Sequence, residues 1–120
     1  MVGELKSLRG LGLTEAPRIE RLDAIAHLPL EHLSIDRTKV TDLSPLAKME
    51  PLRRLDMLGV KPVNPGVLAG LVLTYLVFSP ELLNPAIVLK IPTLQQVSTD
   101  GINWLPIAEF KKKYGLADTP

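Results

Sequence analysis

If this chain performed acid–base chemistry, His32 would have to be its base. A general base needs a partner that orients it, and Asp36 and Asp56 are the carboxylates that could share a face with it. No serine or threonine stands in a nucleophile motif, and the pattern described below implies an open surface with no pocket to exclude water. The residues therefore predict no enzyme. His27 and His32 fall in different elements with no ligand cluster between them, so no metal set is expected. The absence of cysteine excludes disulfides, thiolate metal sites and a cysteine nucleophile. No cofactor is implied.

The residue types that remain suit recognition. Arg54 and Tyr75 each offer a rigid planar group that combines apolar area with hydrogen bonding, the combination favoured at binding anchors. They join His32 and Gln96 in a column, with Asp36 and Asp56 on the same face, provided that the elements carrying them are stacked in register. These six residues are the expected partner-binding set. The competing reading is that they are ordinary solvated strand residues.

The stacking rests on an internal repeat. LRGLGL begins at Leu8, LEHLSI at Leu30, LRRLDM at Leu52, LTYLVF at Leu73 and LQQVST at Leu94, with steps of 22, 22, 21 and 21 residues. A second pattern has nearly the same period. Ser44-Pro45, Asn64-Pro65 and Asn84-Pro85 lie 20 residues apart, and Asp23 lies 21 before Ser44. Ser, Asn and Asp accept hydrogen bonds from the free N–H groups of a helix start, and proline is tolerated just after them. Each unit thus reads as a strand, a turn and a short helix or 3-10 segment beginning near Ala24, Pro45, Pro65 or Pro85.

A strand with one apolar face cannot bury it alone, whereas stacked units share one core. The inner ladders would be Leu11, Leu33, Leu55, Leu76 and Val97, then Leu13, Ile35, Met57, Phe78 and Thr99. Leu22, Ile25 and Leu28, then Leu43, Leu46 and Met49, and later Ile87 and Ile91, would close the other side. The third, fifth and seventh positions of each block point outward by strand alternation. They include His32, Ser34 and Asp36; Arg54, Asp56 and Leu58; Tyr75, Val77 and Ser79; and Gln96, Ser98 and Asp100. An ordinary α/β domain with leucine-rich strands is the alternative, but it would not require strands and caps to share a period.

VTDLSPLAKMEPLRRLDM (Val40–Met57) and LVLTYLVFSPELL (Leu71–Leu83) resemble bacterial leucine-rich repeats of the short class, with about 22 residues per unit. LQQVSTDGINWLPIAEFKKKYG (Leu94–Gly115) is similar to the C-terminal close of repeat regions in large planctomycete-type bacterial proteins, some of which also carry serine/threonine kinase domains. The resemblance implies an α/β solenoid, a right-handed superhelix with a parallel sheet of about five strands on its concave face. Short helices or 3-10 turns would line the convex face, and a capping helix would close the array. It also implies a single domain over residues 1–120, with a cap at 102–115, that binds protein partners. The ninth repeat position, usually Asn in this family, is Ala16, Thr38, Val60, Glu81 and Ile102, of which only Thr38 is an evident polar stand-in. No kinase element is present: there is no glycine-rich nucleotide loop and no HRD or DFG triplet.

With 120 residues, 46% apolar, 22% charged and a net charge of +1, the chain can bury one core and gives no reason to expect nucleic acid or an anionic membrane as partner. The opening MVGELKSLRG has no apolar run of the secretory type. The longest apolar run, Val67 to Phe78, is shorter than the roughly 20 residues that a spanning helix needs. At the far end, Pro106 opens a helix through Ile107, Phe110 and Tyr114 that Gly115 stops, with Lys111 to Lys113 in its last turn, where positive charge suits the dipole. The lysines read alternatively as a basic patch. Trp104, Phe110 and Tyr114 are three of the five aromatic residues and gather where a lid is needed. Only Val2 and Leu5 are available to cover the first repeat, so either the chain continues upstream, the favoured reading, or the open end packs against a partner. Glu81 is the only charge between Lys61 and Lys90. Leu68, Leu83, Val88 and Leu89 exceed what a narrow interior needs, so the 62–89 stretch is the expected surface for a homodimer or for docking within a larger parent; a well-packed third and fourth repeat is the other reading.

Overall fold

The computed structural model describes residues 9–13 and 20–115. Val2, Leu5, Leu8 and Ala16, given roles above, lie outside them. Six strands form one sheet in sequence order: β1 (Gly10–Gly12), β2 (His32–Ser34), β3 (Arg54–Met57), β4 (Tyr75–Phe78), β5 (Gln96–Ser98) and β6 (Trp104–Pro106). The first five pair in parallel and β6 pairs antiparallel to β5. A parallel neighbour requires the chain to return to its starting end. The return runs through 3-10 segments at Asp23–Ile25, Ser44–Lys48 and Pro65–Gly70 and through the helix α1 (Pro85–Val88).

The register follows the leucine spacing. Leu11 pairs with Leu33, Leu33 with Leu55, Leu55 with Leu76 and Leu76 with Val97. Leu33, Leu55, Leu76 and Val97 have no exposed surface, and neither do Ile35, Met57 and Phe78 on the second ladder. Thr99 does not extend that ladder, because β5 ends at Ser98. The first leucines of the second, third and fourth blocks, Leu30, Leu52 and Leu73, are also buried, as are Leu22, Leu43, Leu46 and Met49 from the returning segments, and Leu94 is half-buried. Leu68, Leu83 and Val88 join this interior and Leu89 is half-buried against it, which leaves Val63 and Val72 as the exposed large apolar residues of the 62–89 stretch.

The cap residues recur as expected but do different work. Only Asn84 caps its own helix, accepting from the Ala86 N–H at 2.9 Å. Asn64 turns back to the preceding unit: its Oδ1 accepts from the Leu43 N–H (2.9 Å), and its Nδ2 donates to Asp42 Oδ1 (2.8 Å). Asp42, in turn, accepts from both the backbone N–H and the hydroxyl of Ser44. Asp23 caps nothing and pairs with Arg21. A 3-10 segment of a few residues has few free N–H groups to satisfy, so an amide carrying both donor and acceptor ties adjacent units together instead.

Turn chemistry is similarly displaced. Thr38 donates from Oγ1 to the Ile35 carbonyl (2.8 Å), whereas Val60, at the same repeat position, is simply core. The turn after β3 is held from its neighbours: Asp36 Oδ1 accepts from the Leu58 N–H (2.8 Å) and Ser79 Oγ from the Gly59 N–H (2.9 Å). Gly59 occupies φ 73°, a conformation that other residues adopt at a cost.

The C-terminal end carries the helix expected after Pro106, α2 (Ile107–Lys113), with Gly115 at φ 64° beyond it. Phe110 is fully buried, edge-on to Phe78 with ring centroids 5.9 Å apart and 4.9 Å from the Tyr114 ring. Two expectations are corrected here. The sheet has six strands where about five were expected, because the segment before α2 pairs back on β5. Trp104 also does not join the lid. Leu105 packs against the core, so alternation along β6 sends Trp104 to the opposite face.

Candidate recognition surface on the sheet

Strand pairing places the four residues of the column side by side: His32 opposite Arg54, Arg54 opposite Tyr75, and Tyr75 opposite Gln96. Parallel neighbours of this kind stand about 4.8 Å apart, so the column runs across the strands as a continuous row. Asp56, two residues along β3 from Arg54, lies on the same face. Its side chain is only 13% exposed, and it receives Arg54 in a two-pronged contact, Nε to Oδ1 at 3.0 Å and Nη2 to Oδ2 at 3.2 Å. This hydrogen bonding raises the Arg54 pKa further, holding the guanidinium charged. From the other side, His32 Nε2 approaches Asp56 Oδ2 at 3.6 Å, and this nitrogen is screened from solvent with no hydrogen-bond partner.

Two aromatic rings complete the cluster. The Arg54 guanidinium carbon lies 5.0 Å from the centre of the Trp104 ring, within cation–π range. Tyr75 meets the same indole edge-on, at 5.6 Å and 83°. Trp104 was expected in the lid, yet it is a main component of this surface. The available signal was the Asp100-Gly101 pair between two apolar runs, a hairpin signature that would bring the following residues back along β5.

That hairpin also divides the face. Val77 and Ser98, assigned outward by alternation, are 0% and 1% exposed, and Ser79 is buried as well. The 99–103 loop folds over them: a Cβ on Gly101 would stand 3.8 Å from Leu58 Cδ1 and 4.0 Å from Val77 Cγ1. Asp100 stiffens the loop, its Oδ1 accepting from the N–H groups of Ile102 (2.8 Å) and Asn103 (2.7 Å). These donors hold its carboxyl well below the usual carboxylate range. Over β2 and β3 the face stays open, with the side chains of His32 and Arg54 45% and 36% exposed.

Asp36, expected in the binding set, has a structural bond to make as well. Its carboxylate is committed to the Leu58 N–H, which makes it a turn-fixing group at the edge of the face. Burial raises its pKa, opposed by that hydrogen bond and reinforced by the charge of Asp56. A carboxyl whose pKa is raised on folding binds its proton more tightly when folded. Stability is thus lost as pH rises from the ordinary value of 3.8 through the higher folded one. Asp36→Asn keeps an oxygen for Leu58 and removes the charge. The variant is expected to be more stable than the parent at neutral pH, with the advantage vanishing in acid, as urea denaturation across pH would register.

Among the described residues, no three His, Asp or Glu side chains converge to hold a metal ion, and no helix is long and apolar enough to cross a membrane. Comparison with known proteins finds no matching family model, no matching curated protein and no matching solved structure.

Proposed function

We propose that the chain is a leucine-rich-repeat-type solenoid, a right-handed superhelix that holds a protein partner on its sheet face and carries out no reaction. The reading is supported by the coincidence of two repeat spacings with one strand register, and by the handedness usual for parallel crossovers. The observation that carries the binding half is the row itself. Arg54 is fixed by Asp56 and Trp104, while the side-chain hydrogen-bonding groups of Tyr75 and Gln96 beside it meet no partner among the described residues. An oriented arginine next to aromatic rings is the typical composition of a binding anchor. The open face offers no enclosure from water, which argues against catalysis by His32 and Asp56.

A random peptide library displayed on phage and selected on the chain tests this reading. Selected sequences are expected to bind the parent and to lose roughly tenfold or more in affinity on the Arg54→Ala/Tyr75→Ala double variant. Unchanged affinity would remove the sheet face from the assignment. A second reading, self-association, draws on Val63 and Val72, 72% and 40% exposed on the returning side. Light scattering over a range of concentrations separates the two, since a strict monomer excludes a homodimer.

A further inference from the structure

We infer that the segment received by this face is acidic, and that one of its carboxylates seats on the free edge of Arg54 beside Tyr75. The inference rests on the binding role proposed above and adds the chemistry of the partner. A guanidinium has five N–H donors in a planar fork. Asp56 takes two of them, through Nε and Nη2, and among the described residues nothing accepts from Nη1 or from the second Nη2 hydrogen. Two of the three remaining donors, one on Nη1 and one on Nη2, share the terminal edge of the guanidinium, which does not face Asp56. That edge has the spacing that a carboxylate accepts with both oxygens. Trp104 against the guanidinium and Asp56 along its side hold the plane in place, so little side-chain freedom remains to be lost on binding.

The charges around Arg54 are graded along the strands. At their starting end, Arg53 precedes Arg54 and donates to the carbonyls of Glu50 and Leu52, with no ion-pair partner among the described residues. The hydroxyl of Tyr75 and the amide of Gln96 add further hydrogen-bonding groups that meet no partner among the described residues, whereas the His32 Nε2 is turned towards Asp56. At the finishing end stand Asp36 and Asp100, each tied to backbone N–H groups, so that two carboxylates stand against the cation beside Asp36, Arg37. Asp56, the carboxylate between His32 and Arg54, is mostly covered and committed to Arg54, and Glu31, which precedes His32 at the starting end, is paired with Arg9. An anionic group is therefore drawn to the starting end and repelled from the finishing end, whereas a cationic segment would find its carboxylate partners already engaged.

The test uses the only tryptophan as its reporter. N-acetyl hexaglutamate amide is titrated into the whole chain while Trp104 emission is followed, with the hexalysine peptide as counterpart. Hexaglutamate is expected to give a saturable change that weakens in about 0.5 M NaCl, where screening is short-ranged. Hexalysine should give none. Arg54→Gln should weaken binding roughly tenfold or more, and Arg53→Gln clearly less. If circular dichroism shows Arg54→Gln unfolded, the decision passes to Tyr75→Phe, which keeps the ring and should lose affinity several-fold. The inference is overturned if hexaglutamate leaves Trp104 unaffected, if hexalysine binds as well, if Arg53→Gln loses as much as Arg54→Gln, or if the deciding variant binds like the parent. Failure of the binding role itself looks different: selected peptides of any charge would then ignore the Arg54→Ala/Tyr75→Ala variant.

Discussion

Replacing Phe110 by alanine is expected to cost about 3–5 kcal/mol, the range for deleting a fully buried phenylalanine. Phe110 has no exposed surface, meets Phe78 edge-on and touches the Tyr114 ring. Phe78 closes its ladder at β4, so the phenylalanine of α2 is what covers the apolar end of the stack. Its removal leaves a cavity between α2 and the sheet and removes an aromatic pair worth about 0.5–1.5 kcal/mol beyond its area. Set against a typical total of about 5–15 kcal/mol for a domain, the variant should unfold at a far lower urea concentration. A loss under about 1 kcal/mol would mean that α2 does not pack as a lid.

Leu55→Ala should be nearly as damaging, about 2–5 kcal/mol, for a different reason. Leu55 is the middle of its ladder, between Leu33 and Leu76, and all three are fully buried. A cavity there has neighbours on both sides that are themselves fixed by the sheet. In an array stabilised by nearest-neighbour contacts, a central weakness separates the units before and after it. Leu11→Ala, at the half-buried start of the same ladder, should cost clearly less. Urea denaturation of both variants reads the gradient directly. Equal costs at Leu11 and Leu55 would contradict a core that is built up unit by unit.

The parallel register was legible in the sequence because strand alternation and the 21–22-residue step act on every unit alike. That suffices to align His32, Arg54, Tyr75 and Gln96, since a one-residue slip would throw the leucines to the wrong face. What was not legible depends on which neighbour a group chooses. Asn64 and Asn84 stand at equivalent places, yet one bonds across to Asp42 and the other caps its own helix. Periodicity cannot separate them. Val77 reads as outward by alternation and is outward, but the Asp100–Asn103 loop buries it, a contact between parts of the chain that no repeat encodes. Trp104 was misplaced for the same reason. Its antiparallel return along β5 turns it toward Arg54, and so the least periodic part of the chain supplies the central aromatic of the candidate surface.

Trp104 therefore offers the most direct measurement of whether a partner occupies the sheet face. Acrylamide quenching of its fluorescence should be compared in the free chain and in the complex with a peptide selected on it. If the peptide lies over Arg54 and Tyr75, the indole between them becomes less accessible and the quenching constant falls, and it does not fall when the same peptide is added to the Arg54→Ala/Tyr75→Ala variant. A saturated complex in which Trp104 is quenched as readily as in the free chain would place the partner elsewhere and contradict the account.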